Sequence, residues 1–586
     1  MQQFDITIKI GGEAGQGVES SGAGFVKALS RGGVHVFGNS DYMSRIRGGY
    51  NFFQIRASSQ PVFCPNDDLH LLLALNAEAI TQHKDELVKG GAIIYNEDLK
   101  VDVDSLRARG IVPCPMPLVK LAYESGADRI MANTAAIGAA VGITEYDFER
   151  ISEVIRQNFK RKGEKVVQDN VKLARQAHDI AKEKYAKLFK FKISTISDAP
   201  KRMILHGNHA ICLGAIGGGC RFMSGYPMTP ASTIIEFMSA KANQFGIVIK
   251  QTEDEISAIL MAIGANHAGV RAMTATSGGG FSLMAEALGL AGITETPLVV
   301  VEAQRTGPST GLPTRTEQAD LEFVLRASQG EFPRIILAPG TIEQCFEAGW
   351  RAFNLAEKYQ CPVIVLTDLY QSAAVQAVDK SSFDFSKIAI ERGALLTSEA
   401  LDKLTSDYKR YTFTESGISP RALPGHPKAV FMTTSDEHDE TGHIIEDAET
   451  RIKMMQKRMK KLELTVEEMR APEVYGAKKA EITLIGWGST YGALRETVDR
   501  LNGEGTPTDM IHFVDIWPFP EEKVTPLLKS AKYTVCVEGN YTGQLANILR
   551  TYTGIQVDKK ILRYDGRPFS PGYILSKLKE EVKLHV

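Results

Sequence analysis

Three adjacent acids, Glu253, Asp254 and Glu255, stand immediately before the apolar, small-residue run ISAILMAIGANHAG. Carboxylates at a helix start complement the positive end of its dipole, and all three could serve only that purpose. The helix that follows is so apolar and glycine-bearing that at least one carboxylate is expected to point into a packed interface. Burial there raises its pKa and lets it share a proton with a basic nitrogen. Glu255 is the candidate. YPMTP, Tyr226 to Pro230, holds Thr229 between two prolines that fix φ and keep its hydroxyl in a defined place. The alternative is a plain helix start, with Thr229 as N-cap and Pro230 at the first helical position. In TATSGGGFSLMAEAL, a strand end runs into a turn at Ser277, Gly278 and Gly279, so main-chain N–H groups are presented and a flat ligand can lie close. Ser277 as a hydrolase nucleophile fails, because the G-x-S-x-G elbow is absent, with Ala275 where its first glycine belongs. EAQRTGPSTGLPTRTEQAD places Arg305 and Arg315 on a Gly/Pro/Thr-rich loop. A guanidinium there grips a carboxylate at two points or is an ordinary surface charge.

Weaker signals lie at the ends. GGEAGQG carries Gly11, Gly12, Gly15 and Gly17 between an alternating strand and a helix-like stretch. It would point N–H groups at an anion, but read from Gly11 or Gly12 it does not match the G-x-G-x-x-G dinucleotide pattern. Asp41 and the SRIRGG run, Ser44 to Gly49, supply further polar groups at the same sheet end or form a structural loop. Near the C-terminus, VEGNYTGQ presents Glu538, Asn540 and Gln544 as interface or ligand-loop residues. His438 and His443 flank acids on a proline-rich connector and read as solvated histidines, not metal ligands; no metal site is expected in this chain.

The elements that position these residues follow from periodicity. With 586 residues, at roughly 150 per domain, about three or four domains are expected. The chain is 43% hydrophobic and its 68 Lys plus Arg nearly cancel 70 Asp plus Glu, which argues against a disordered tail or a nucleic-acid-coating protein. No apolar run is long enough to span a membrane, and Asp5 and Lys9 precede any signal-peptide core. A cytoplasmic chain is expected. The seven cysteines are scattered without C-x-x-C spacing, so neither a cluster nor a disulfide framework is expected within it. The pattern predicts an α/β protein of three domains. Residues 1–195 form a Rossmann-like domain with a mostly parallel sheet, 200–378 a doubly wound domain, 379–473 an extended connector, and 474–586 a smaller α/β domain. In the connector, EDAETRIKMMQKRMKKLEL places acids first and bases last, the order that complements a helix dipole.

Taken together, GGEAGQG with SRIRGG, YPMTP (YPITP in the family, with Met228 in place of Ile), TEDEISA, TATSGGG, GPSTGLPTRTEQ, SDEHDETGH and VEGNYTGQ resemble the 2-oxoacid:ferredoxin oxidoreductases. Specifically they resemble the α subunit with the γ domain fused to its N-terminus, over nearly the whole chain. The resemblance implies a γ domain, a pyrimidine-type thiamine diphosphate domain and a transketolase C-terminal-like domain. It implies CoA-dependent oxidative decarboxylation of a 2-oxoacid with electrons passed to ferredoxin. The thiamine diphosphate would be shared with a β subunit that carries Mg²⁺ and a [4Fe-4S] cluster, in an assembly of two αβ pairs. By the same resemblance Glu255 bonds the pyrimidine nitrogen and Thr229 lies near the substrate carbonyl. Arg305, Arg315 and Tyr226 shape the carboxylate pocket, Ser277, Gly278 and Gly279 line the cofactor, and Gly11, Gly12, Gly15 and Gly17 are assigned to coenzyme A. The fused arrangement favours 2-oxoglutarate over pyruvate or branched-chain oxoacids. Pyruvate or another 2-oxoacid is the first alternative, and a non-catalytic dinucleotide-binding protein is the rival of a different class.

Overall fold

A computed structural model describes residues 3–44, 48–125 and 129–582. Arg45, Ile46 and Arg47 of the SRIRGG run lie outside them. The chain forms three sheets of eight, seven and five strands. They fall into two compact units: residues 1–205 with 373–382 and 570–585, and residues 206–372 with 383–569.

In the first unit, Ile6, Ile8 and Ile10 of the strand Asp5–Glu13 sit in the core. Three of its pairings are parallel, running from Asp5–Glu13 through Leu69–Ala74 and Leu87–Asn96 to Val112–Met116. The expected mostly parallel sheet is nevertheless mixed. Tyr50–Ser58 pairs antiparallel with both Asp5–Glu13 and His35–Asp41. The stretch between Asp41 and Tyr50 is too short for a crossover helix, so these strands return as a hairpin. Arg202–Leu205, within the span 200–378, and Val375–Asp379, which runs one residue past it, complete the sheet antiparallel. The strand also runs through Gly11 and Gly12 to Glu13, so the first glycine loop is confined to residues 14–17.

In the second unit the seven-stranded sheet is parallel from Ile335–Leu337 through Pro362–Asp368, Leu298–Gln304, Ala272–Thr276 and Phe222–Gly225 to Val248–Gln251. Three neighbouring strands, ending at Gly225, Thr276 and Gln304, therefore deliver YPMTP, the Ser-Gly-Gly-Gly turn and the arginine loop to one carboxyl edge, where open α/β sheets hold their ligands. The five-stranded sheet is built on Thr508–Phe513, Ile482–Trp487, Thr534–Glu538 and Lys559–Leu562 in parallel. Asp515–Trp517 leaves it to pair with Ile335–Leu337, and Trp487 and Phe513 share one core with Phe281 and Ile336. No helix among the described residues is long and apolar enough to cross a membrane.

The weakly periodic connector is tied down by ionic contacts more than by apolar ones. The Glu357 carboxylate accepts hydrogen bonds from Arg271 Nε (2.7 Å), Arg392 Nε (2.8 Å) and Arg421 Nη2 (2.8 Å). The bases of the helix Ala448–Glu468 have a role the dipole argument missed: its last turn holds no base. Lys457 and Lys461 are instead buried against Glu295. Burial alone would raise the Glu295 carboxyl, but these lysines and Arg410 outweigh it and hold it well below the usual carboxylate range. His438 corrects the expectation of a solvated histidine: it is fully buried against the Tyr411 ring, with centroids 4.1 Å apart, and burial lowers its pKa. His443 is exposed.

Replacing Glu357 by Ala leaves two buried guanidiniums without a counter-charge and is expected to cost about 3–5 kcal/mol. Chemical denaturation checks this; an unchanged midpoint contradicts the assignment.

Candidate functional site

The three acids divide their work. Asp254 is the N-cap of the helix Glu255–His267, accepting a hydrogen bond from the Ser257 N–H at 2.8 Å. Glu253 accepts from the Ser257 hydroxyl at 2.7 Å and stays exposed. With the helix start satisfied, Glu255 is spare. It is 3% exposed, and its Oε1 has no hydrogen-bond partner. Burial, with the neighbouring Asp254 charge, outweighs a backbone N–H and raises its pKa, so its proton is held more firmly than an ordinary glutamate's.

The space for that carboxyl is made by a glycine. A Cβ at Gly280 would lie 2.6 Å from Glu255 Oε1 and closer still to Thr276 Oγ1. The glycines of the turn thus differ in purpose. Gly280 admits Glu255, Gly278 admits the Asp320 carboxyl, and Gly279 faces open space. Ser277 is the N-cap of the helix Gly278–Ile293, yet its side chain caps nothing. Its Oγ is buried and unpartnered, beside a first turn that no side chain caps.

YPMTP is not a helix start with Thr229 as cap. The helix begins at Ser232 behind Ala231, and Thr229 to Ala231 form a turn ahead of it. Thr229 is half-buried, and Arg305 Nη1 donates to its carbonyl oxygen at 3.0 Å. Arg305 Nε is buried without a partner, and burial lowers the guanidinium's pKa. Met228 Sδ lies 4.0 Å from Thr276 Oγ1, so this segment also reaches the glycine turn. Tyr226 is exposed. Arg315 Nη1 donates to the Thr314 carbonyl of its own loop at 2.9 Å. Glu255, Thr229, Ser277 and Arg305 are therefore gathered at one sheet edge, with Arg305 the arginine that touches the threonine turn.

Two positioning residues escaped sequence reasoning. Buried Asn208 donates to the Pro230 carbonyl (3.0 Å) and to Thr233 Oγ1 (2.8 Å), fixing the far side of YPMTP. Gln318 spans the arginine loop and the third sheet: Nε2 donates to the Trp487 carbonyl and Oε1 accepts from the Gly539 N–H, both at 3.0 Å. Asn540 Nδ2 donates to the Gln318 carbonyl at 3.0 Å, and Gln544 Nε2 to the Ala319 carbonyl at 2.6 Å. Glu538 orders this motif, accepting from the Leu545 and Ala546 N–H groups at 2.8 and 3.0 Å. VEGNYTGQ is thus a latch on the arginine loop. An asparagine one residue into a helix and a glutamine in a loop carry no pattern that announces such contacts.

Similarity decides the family. The family model for "Pyruvate flavodoxin/ferredoxin oxidoreductase, thiamine diP-bdg" matches residues 213–457. That for "Pyruvate ferredoxin/flavodoxin oxidoreductase" matches 7–180, and that for "Pyruvate:ferredoxin oxidoreductase core domain II" matches 480–573. The 2-oxoacid:ferredoxin oxidoreductase subunit alpha of Sulfolobus sp is 35% identical across 96% of this chain and 94% of its own. This chain is an α subunit of the 2-oxoacid:ferredoxin oxidoreductase family. The 2-oxoglutarate oxidoreductase subunit KorA of Mycobacterium tuberculosis is 29% identical across 93% of this chain and 87% of its own. The solved 2-oxoglutarate:ferredoxin oxidoreductase of Magnetococcus marinus superposes with a TM-score of 0.92 at 34% identity, covering 99% of this chain and 100% of that one. The three-sheet α/β architecture is shared with that structure.

In the first unit, Gly11 and Gly12 are buried strand residues; a Cβ on Gly12 would meet Gln16 Oε1 at 2.7 Å. They offer no surface to a ligand. Gly15, with φ +96° and open space where a side chain would stand, lines a cavity of about 340 Å³ with Glu13, Gln16, Asn96 and Asn133.

Gly280→Ala tests the cradle. Alanine is the better helix former by about 1 kcal/mol, yet the clash with Glu255 and Thr276 is expected to destabilise the chain by about 1–3 kcal/mol. Thermal unfolding reads the sign, and a stabilised variant contradicts the packing described.

Proposed function

We propose that this chain is the fused γ–α subunit of a 2-oxoglutarate:ferredoxin oxidoreductase. With a β subunit it oxidatively decarboxylates 2-oxoglutarate, transfers the acyl group to coenzyme A as succinyl-CoA, and passes two electrons to ferredoxin, in a cytoplasmic assembly of two αβ pairs. The observation that carries this reading is the buried Glu255 carboxyl, raised in pKa and unpartnered at Oε1 beside Gly280. The Magnetococcus structure holds 2-oxoglutarate, coenzyme A and succinyl-CoA, which supports the ligand set. The Sulfolobus relative is named for 2-oxoacids at large, which favours a broader substrate range as the second reading.

Thiamine diphosphate fits the residues present: an orphaned buried carboxyl for a ring nitrogen, and an open glycine turn for a flat ring. When bound, it supplies the carbon nucleophile and electron sink that decarboxylation needs. Glu255 holds a proton at the ring nitrogen, because burial keeps that proton on the pair instead of releasing it to water. Ser277 to Gly279 lie against the ring. Thr229 presents its hydroxyl to the substrate, and Arg305 binds a carboxylate there, a contact strengthened by its partial burial. Tyr226 and Arg315 border the pocket. The β subunit contributes Mg²⁺ and the [4Fe-4S] cluster. Coenzyme A enters the cavity lined by Gly15, where Gln16 and Asn133 supply polar contacts, while Gly17 stands behind Asn133 outside that lining.

Two variants test this in an anaerobic assay of CoA-dependent ferredoxin reduction by the assembled complex with several 2-oxoacids. Glu255→Gln is expected to lower turnover by about 10²–10⁴-fold with assembly intact. Near-normal turnover contradicts the role of Glu255. Arg305→Ala is expected to raise KM for the 2-oxoacid more than Arg315→Ala does; the reverse order moves the carboxylate contact to Arg315.

A further inference from the structure

A second acid lies beneath the same sheet edge. Glu302 sits in the strand Leu298–Gln304, in register with Thr276, and is fully buried. Among the described residues no N–H or hydroxyl donates to either of its carboxyl oxygens. The group it meets is another carboxyl, that of Asp320, the N-cap of the helix Leu321–Arg326, whose side chain caps nothing and presses on Gly278. Two carboxylates accept hydrogen bonds and donate none, so such a contact forms only when one of them carries a proton. Among the described residues neither makes an ion pair. The other acids that face them are Asp368 for Glu302 and Glu317 for Asp320. Asp368 is already bonded by Thr316 Oγ1 (3.1 Å), the Gln371 N–H (2.9 Å) and Ser489 Oγ.

The position of the pair gives it a use. Glu302 stands three residues before Arg305 and Asp320 five residues after Arg315, so the contact closes the neck of the loop that carries both arginines. Gln304 reinforces that neck, its Oε1 accepting from the Asp320 N–H at 2.9 Å. We propose that Glu302 and Asp320 share one proton and act as a positioning pair, a clasp that keeps the arginine loop seated against the strand. Losing the proton puts two negative charges side by side in the interior, and the clasp opens.

The electrostatics agree in direction. Burial first, then the Asp320 carboxyl, raise Glu302 far above the ordinary glutamate value, and burial pushes Asp320 up to about 6. A carboxyl whose folded pKa is raised loses stability as pH climbs from its unfolded value through its folded one. The clasp is therefore closed on the acid side and opens on the alkaline side. The kinetic consequence rests on the function proposed above; the proton and the loop's behaviour do not.

Three readings test it in wild type, Glu302→Gln and Asp320→Asn, where an amide replaces the shared proton by a permanent donor. Infrared spectra of the full chain at neutral pH are expected to show the carbonyl band of an un-ionised carboxylic acid, lost in Glu302→Gln. Amide hydrogen exchange across residues 305–319, corrected for intrinsic rates, is expected to accelerate with rising pH in wild type and not in Glu302→Gln. In the assembled complex, KM for the 2-oxoacid is expected to rise about tenfold per pH unit above the clasp's transition, as loss of one proton requires, and to flatten in the variant. A missing infrared band, or a loop whose exchange or KM profile is the same in wild type and variant, overturns the clasp. Should Glu302→Gln fail to fold, Asp320→Asn carries the same comparison. A complex that turns over no 2-oxoacid overturns the functional reading instead, while the band and the exchange still decide the clasp.

Discussion

Glu255 is buried at the first turn of its helix with an oxygen that no donor among the described residues reaches. A buried polar group left unpaired costs about 1–3 kcal/mol, and the neighbourhood is arranged so that this one stays unpaired. Asp254 takes over the capping and Glu253 takes the Ser257 hydroxyl. Gly280 gives up its side chain so that the carboxyl has somewhere to be. Ser277 repeats the pattern, a buried hydroxyl at an N-cap position that declines to cap. Two orphaned polar atoms on adjacent elements read as one half of a hydrogen-bonded interface whose other half is a ligand.

What surrounds Glu255 is loop, and loops at a sheet edge need bracing. Asn208 holds YPMTP from behind, and Arg305 ties it to the strand Leu298–Gln304, two places along the sheet. The third sheet reaches across through Glu538, Asn540 and Gln544 to grip residues 318–319. Glu302 and Asp320 close the neck of the same loop from below. The C-terminal sheet is in this sense part of the site although it supplies no candidate catalytic group. Its contacts with residues 318–319 each use a backbone atom, so they fix position without fixing chemistry.

Much of this was legible in the sequence. The strands ending at Thr276 and Gln304 appear as apolar runs, and those of the third sheet as runs bounded by glycine and proline, because buried parallel strands leave no other pattern. The choice of Glu255 among three acids followed from the apolar helix behind it. The hairpin His35–Asp41 to Tyr50–Ser58 was missed because the two strands are joined by a polar stretch that leaves a ligand loop and a structural loop equally open. Thr229 was open to reading as a helix cap because Ser, Thr and Pro mark both helix starts and rigid turns. His438 reads as solvated because charge in a polar connector usually is, and the bases of the helix Ala448–Glu468 read only as complements to its dipole; the partner Glu295, far away in sequence, turns Lys457 and Lys461 inward. Glu302 did leave a trace, an acid following the apolar run Leu298 to Val301, whereas Gln318 left none.

The most direct test is a density map of this chain assembled with its partner subunit and thiamine diphosphate. The aminopyrimidine ring is expected within hydrogen-bonding distance of Glu255 Oε1, lying against Ser277 to Gly279. A ring bound elsewhere, or a Glu255 carboxyl still without a partner once the coenzyme is in place, contradicts the account.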